Sequence, residues 1–159
     1  MSEPAREPTA QSARRPYRAE KKVRFGDIDQ AGIVYYPRFL HYFHVAVEEF
    51  FGDVIGRDYA ELLRNDRQGF PMVHLEIDFH RPLRYGDVVE VEIGIENVGS
   101  TSLIWRNKVY RMDEPELIAE ARQVSVNISL DDYAKRPIPD WLRAKLEEYR
   151  RECAESAGR

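Results

Sequence analysis

The chain has 159 residues, of which 28 are acidic and 24 basic, so its formal charge of −4 gives no global attraction to nucleic acid, and its length fits one domain rather than two enzymatic ones. A hydrophobic share of 43% is enough for a core, and residues 1–16 carry no apolar run of the length a signal peptide or a membrane span needs. The single cysteine, Cys153, has no partner for an intramolecular disulfide, which suits a reducing compartment and makes the cytoplasm the expected location.

Residues 1–16 mix Pro, Ala, Ser and charge and are expected to form a disordered tail. A single domain is expected over residues 17–151, with a second disordered tail over 152–159. From Tyr17 to Phe25 a loose alternation predicts a strand, and the Gly and Asp residues of GDIDQAG then mark a loop. Phe39, Leu40, Phe43, Val47 and Phe50 recur at helical spacing, with Pro37 suited to the first turn and Gly52 to the stop, so this helix is meant for burial. A weaker helical pattern (Tyr59, Leu62, Leu63) runs to the breaker Gly69-Phe70-Pro71.

The period changes to two at Met72. Val73, Leu75, Ile77 and Phe79 alternate with His74, Glu76, Asp78 and His80, as in a strand with one buried face. Val89 to Glu96 and Ser102 to Arg111 read as a hairpin turning at Gly99-Ser100, and a last strand is expected from about Glu116 to Leu130. Acids on one strand and Arg106, Lys108 and Arg122 on others suit cross-strand charge pairing. Pro137 and Pro139 introduce a short terminal helix with Leu142, Leu146 and Tyr149 on one face. One strand, a long buried helix and four strands able to form a meander argue for an α+β domain, an antiparallel sheet wrapped around a long central helix.

FGDIDQAGIVYYPRF, residues 25–39, resembles the signature of the 4-hydroxybenzoyl-CoA thioesterase family through Gly26, Asp27, Asp29, Gly32, Ile33, Val34, Tyr35, Tyr36 and Pro37. The resemblance extends over roughly residues 17–130. It implies a hotdog fold, Asp29 as the catalytic carboxylate, and the Tyr36 backbone N–H as the group that polarises a thioester carbonyl. Substrate contacts are expected from Gly32, Tyr35 and Phe39. Elementary chemistry is consistent with these roles: Tyr36 precedes the helix start, where free N–H groups and the positive end of the helix dipole stabilise an oxyanion. Gly32 allows the loop to fold back, and a carboxylate there can serve as nucleophile or as general base. In the family a basic cluster meets the nucleotide phosphates near the turn matching Asn97 to Ser102; this chain has Gly99-Ser100-Thr101.

Plainer roles compete. Asp29 could simply hydrogen-bond its own loop, and Asp27, beside Gly26, is better suited to holding the loop than to acting on substrate. His74, Glu76, Asp78 and His80 cannot all converge on one ion, because same-face neighbours on a strand lie about 6.7 Å apart. His41 and His44 fit helix-surface packing, and Cys153 has no motif around it. No metal or redox cofactor is expected, coenzyme A being part of the substrate. The expected partners are an acyl-CoA and further copies of the chain, as homodimer or homotetramer, because the sheet has edges to cover; nucleic acid and membrane are not expected. The resulting expectation is a thioesterase releasing free acid and CoA. A hotdog hydratase or dehydratase and a non-catalytic acyl-CoA-binding module are the rivals.

Overall fold

The structure is a computed structural model that describes residues 9–159. Its elements are β1 (Arg18–Lys22), α1 (Arg38–Phe50), α2 (Tyr59–Arg64), β2 (Gln68–Gly69), β3 (Met72–Phe79), β4 (Val88–Glu92), β5 (Ile95–Val98), β6 (Ser102–Arg111), β7 (Leu117–Val126), β8 (Ile128–Ser129) and α3 (Asp140–Ala157). The six-stranded antiparallel sheet is ordered β1-β4-β6-β7-β3, with β5 also paired to β6. The strands β4 and β5 act as one long strand interrupted at Ile93-Gly94. A side chain at Gly94 would come within 2.4 Å of the Arg106 carbonyl oxygen, so only glycine fits that crossing.

The period-two residues place Val89, Val91, Leu103, Trp105, Val109, Ala119 and Ala121 on one buried face. Against that face lie Phe39, Phe43, Ala46 and Phe50 of α1 and Leu142, Leu146 and Tyr149 of α3. Outward charges pair across strands as expected: Glu96 accepts from Arg106 at 2.5 Å and from Arg122 at 3.0 Å. These pairs lie on the solvent side, where screening by water leaves them little net weight in stability.

Several boundaries differ from expectation. Only β4 to β7 form the meander; β3 lies beyond β7, because residues 80–87 are too long for a hairpin and cross the end of the sheet instead. The helix does not stop at Gly52. It widens into a π-type turn, Phe51–Ile55, and ends at Gly56, whose φ of 75° supplies the left-handed stop. With 13 residues, α1 is shorter than the expected long central helix, and α3, with 18, is the longest. The last strand breaks at Asn127, fully buried, whose Nδ2 donates to the Arg136 and Pro137 carbonyls, and β8 then pairs with β2.

Neither tail boundary matches the expectation. Residues 1–8 lie outside the described residues, but 9–16 dock on the domain. Ser12 is buried, Arg14 pairs with Glu90 at 2.7 Å, and the Arg15 guanidinium lies 5.2 Å from the centre of the Tyr149 ring while pairing with Glu152. At the other end α3 runs through 152–157, because Leu142, Leu146, Tyr149 and Cys153 continue one apolar stripe, and the Ser156 hydroxyl donates to the Arg15 carbonyl.

Tyr149 joins these parts. Its buried hydroxyl accepts from the Tyr17 N–H at 2.9 Å and donates to the Ile93 carbonyl at 2.5 Å. Tyr149→Phe orphans both backbone groups, a loss of about 2 kcal/mol. For a domain of this size the melting temperature should fall by roughly 5 °C, measurable by calorimetry.

Candidate active site

Residues 25–39 form a hairpin that leads into α1. Ile28 bridges Val34, Tyr35 N–H donates to the Asp27 carbonyl at 2.8 Å, and Asp29 N–H donates to the Ile33 carbonyl at 3.0 Å. The turn is Asp29-Gln30-Ala31-Gly32, closed by Gly32 N–H to the Asp29 carbonyl at 3.0 Å. Gly32 has φ of 78°, a conformation costly for any residue with a side chain. Val34 N–H donates to the Leu83 carbonyl at 2.8 Å and fastens the hairpin to the crossing loop.

The two carboxylates of this motif have different surroundings. Asp27 Oδ2 accepts from the Arg24 N–H at 2.9 Å and from the Tyr42 hydroxyl at 2.8 Å, with Arg38 alongside at 3.8 Å. Burial, then the bond to Asp27, raises the Tyr42 phenol above its ordinary pKa, so it stays a neutral donor. Asp27 therefore clamps the loop to α1. Asp29 is exposed at the turn; its Oδ1 accepts from the Ala31 N–H at 2.8 Å, and Oδ2 makes no hydrogen bond among the described residues. The local hydrogen bond foreseen as its plainer role is present and occupies one of its two oxygens.

At the start of α1 the backbone donors are nearly all used. Arg38, Phe39 and Leu40 N–H donate to the carbonyls three residues back, and Pro37 has none to give. The Tyr36 N–H is left with no acceptor among the described residues. It adjoins an apolar cleft of about 280 Å³ lined by Ile33, Val34, Tyr36, Phe39, Phe79 and Leu83, with His80, Arg81 and Pro82 at its rim. Of the expected site residues, Tyr36 and Phe39 line this cleft, whereas Asp29, Gly32 and Tyr35 do not. Phe39 is buried, with its ring 5.2 Å from that of Phe79, and Tyr35 is half exposed beside Tyr36.

The crossing loop adds residues that strand periodicity did not single out. His80, read as part of an outward row, pairs with Glu120 at 3.4 Å, and Arg81 pairs with Glu116 at 3.0 Å; both reach the cleft. The Arg81-Pro82 break that ends β3 is the signal that could have marked them. His74 is bound to Glu76 at 3.0 Å and His44 to Glu48 at 2.9 Å, and no group of three metal-ligating side chains occurs among the described residues. At the Gly99-Ser100-Thr101 turn, Arg143 of α3 donates to the carbonyls of Val98, Gly99 and Ser100, so a guanidinium stands there, engaged by backbone.

A sheet of this order with helices on its inner face is the architecture of the hotdog thioesterases. A 1,4-dihydroxy-2-naphthoyl-CoA thioesterase from Synechocystis superposes with a TM-score of 0.75 at 25% identity, over 82% of this chain and 95% of that one. A gentisyl-coenzyme A thioesterase superposes at 0.73 with 28% identity, over 81% and 98%. Residues 23–146 match the family model described as the Thioesterase-like superfamily, and the chain belongs to that family. A 1,4-dihydroxy-2-naphthoyl-CoA hydrolase from Nostoc punctiforme is 32% identical over 145 residues, 87% of this chain and 91% of that protein. The chain is thus a thioester hydrolase by family.

The clamp at Asp27 can be tested apart from chemistry. Asp27→Ala leaves the buried Tyr42 hydroxyl and the Arg24 N–H without their acceptor, so urea denaturation should show a loss of about 2 kcal/mol or more.

Proposed function

We propose that the chain hydrolyses an acyl-CoA thioester with an aromatic acyl group to the free acid and CoA, with Asp29 as general base or nucleophile and the Tyr36 N–H holding the carbonyl oxygen. The observation that carries this proposal is the unpaired Tyr36 N–H at the start of α1, in a residue that lines an apolar cleft and follows a carboxylate with a free oxygen by seven positions. Hydroxylated aroyl-CoA esters are the substrates named for the relatives above, and the aromatic side chains along α1 suit such a group.

In the general-base route Asp29 takes a proton from water as the oxygen attacks the thioester carbon. Negative charge develops on the carbonyl oxygen, where the Tyr36 N–H and the positive end of α1 stabilise it. Collapse expels the CoA thiolate, a leaving group with a thiol pKa of about 8.5 that needs no strong acid. In the nucleophilic route the Asp29 carboxylate attacks instead, giving a mixed anhydride that water then cleaves. Neither route requires a metal or redox cofactor. The cytoplasm is the proposed location; no helix among the described residues is long and apolar enough to cross a membrane.

Asp29→Asn should lower kcat by about 100-fold to 10,000-fold. The melting temperature should change little, because the Asn oxygen still accepts from the Ala31 N–H. A variant that retained most of its kcat on the best of a panel of aroyl- and alkyl-CoA esters would end the assignment of Asp29.

The functional unit we propose is at least a homodimer. At one edge of the sheet β1 is partly covered, since Gln11 donates to the Arg18 carbonyl. At the other edge β3 is bare, with Met72, Val73 and Phe79 48%, 61% and 49% exposed. Such an edge invites a second copy, whose arrival would close the cleft beside Phe79. Sedimentation at micromolar concentration should give a mass of two chains or a multiple of two; a mass of one chain contradicts the proposal.

A further inference from the structure

The inner face of β7 carries Ala119, Ala121, Gln123 and Ser125, where a sheet packed on a helix ordinarily presents branched apolar side chains. Gln123 and Ser125 are each only 4% exposed. A buried polar pair opposite an aromatic helix needs a reason, and the hydrogen bonds around it supply one.

The Gln123 amide is oriented from the backbone outward. Gly94 N–H, which can only donate, reaches Asn107 Oδ1 at 3.3 Å. Asn107 therefore turns its Nδ2 towards Gln123, whose Oε1 accepts at 2.6 Å. The Gln123 Nε2 is left pointing away, and its one acceptor among the described residues is Met72 Sδ at 3.8 Å, a weak partner. Ser125 is held separately, accepting from the Trp105 indole N–H at 3.2 Å.

This donor lines a groove with Leu40, His44, Val47 and Met72 that begins one helical turn beyond Tyr36 and runs along α1. Phe43, Phe51 and Trp105 give it flat aromatic walls. Its free volume is about 60 Å³, enough for the rim of a ring but not for a whole one. Met72, unbranched, half exposed and on the bare edge strand, is the side chain able to move and enlarge it.

We infer that Gln123 selects the acyl group of the substrate: with an aromatic acyl group in this groove, Met72 moves aside and Gln123 Nε2 donates to an oxygen carried on the ring. The inference rests on the thioester-hydrolase proposal above and adds to it a residue that favours hydroxylated over unsubstituted rings. A ring without oxygen would displace the sulfur and leave a buried N–H with nothing to bond, which is how sites built around a polar contact reject analogues lacking it.

The test compares benzoyl-CoA with its mono- and dihydroxylated counterparts. In the unaltered protein the best hydroxylated ester should exceed benzoyl-CoA by about 10-fold to 100-fold in kcat/KM. Gln123→Leu should reduce that ratio to about 3-fold or less, by slowing the hydroxylated ester and by relieving benzoyl-CoA of the orphaned N–H. If Gln123→Leu does not fold, Gln123→Met, similar in length and with a thioether sulfur as weak acceptor for Asn107, removes the donor and should abolish the preference equally. An unaltered protein without preference, or a preference that survives either substitution, overturns the inference. Calorimetric titration with the non-hydrolysable phenacyl-CoA and hydroxyphenacyl-CoA thioethers separates the two proposals. Selective binding that depends on Gln123, without turnover of any ester, upholds the inference and removes hydrolysis. Turnover without selectivity upholds hydrolysis and removes the inference.

Discussion

Phe50 is where the parts of this domain meet. Its ring lies 4.7 Å from Tyr149 of α3, 5.9 Å from Tyr17 before β1, 6.0 Å from Trp105 of β6 and 6.1 Å from Phe51, centre to centre, each at an edge-on angle. Edge-to-face contacts of this kind depend on angle as well as distance, so they restrict the rotation and slide of α1 against the sheet. The other end of α1 carries Tyr36 and Phe39. Packing at one end of the helix thus aims the backbone donor at the other, and burial of the helix supplies the positional precision that the candidate site requires.

Two aspartates two residues apart show how one short motif divides its tasks. Asp27 faces inward and accepts hydrogen bonds from a backbone N–H and a buried phenol. Asp29 sits at the turn, where one oxygen steadies the loop and the other faces solvent. Their separation follows from backbone geometry: Asp27 closes a 3-10 turn over Phe25–Asp27, whereas Asp29 opens the reversal at Asp29-Gln30-Ala31-Gly32, so the second carboxylate leaves the clamp. A rigid inner residue beneath an exposed outer one is the arrangement that the proposed hydrolysis on this loop needs.

The polar strip on β7 and the bare strand β3 are connected features. Small and polar residues on the inner face of β7 leave space beneath α1, and β3, with its half-exposed Met72 and Phe79, closes that space only loosely. A protein built only for stability would fill the gap with branched side chains. Leaving it open keeps a cleft between the helix and the edge of the sheet, on the side where a second copy is proposed.

By itself the sequence determined what depends on neighbours in the chain. The strand from Met72 to Phe79, the helical spacing of Phe39, Phe43 and Phe50, and the Gly-Asp-Ile-Asp signature with Gly32 at its turn all encode local geometry and appear where expected, but the apolar face of that strand is not buried throughout: Leu75 and Ile77 are half-buried, whereas Val73 and Phe79 are exposed. Periodicity states which face is buried but not against which neighbour, so the place of β3 beyond β7 was left for the tertiary structure to decide. The docking of residues 9–16 was equally hidden, because Arg15 meets Glu152 and Tyr149 from more than a hundred residues away. The continuation of α3 to Ala157 was locally visible in the stripe that reaches Cys153, but its polar surroundings masked it. The orientation of Gln123 is the extreme case: it follows from a hydrogen bond at Gly94 passed through Asn107, three residues on three different strand segments that only the sheet register brings into line.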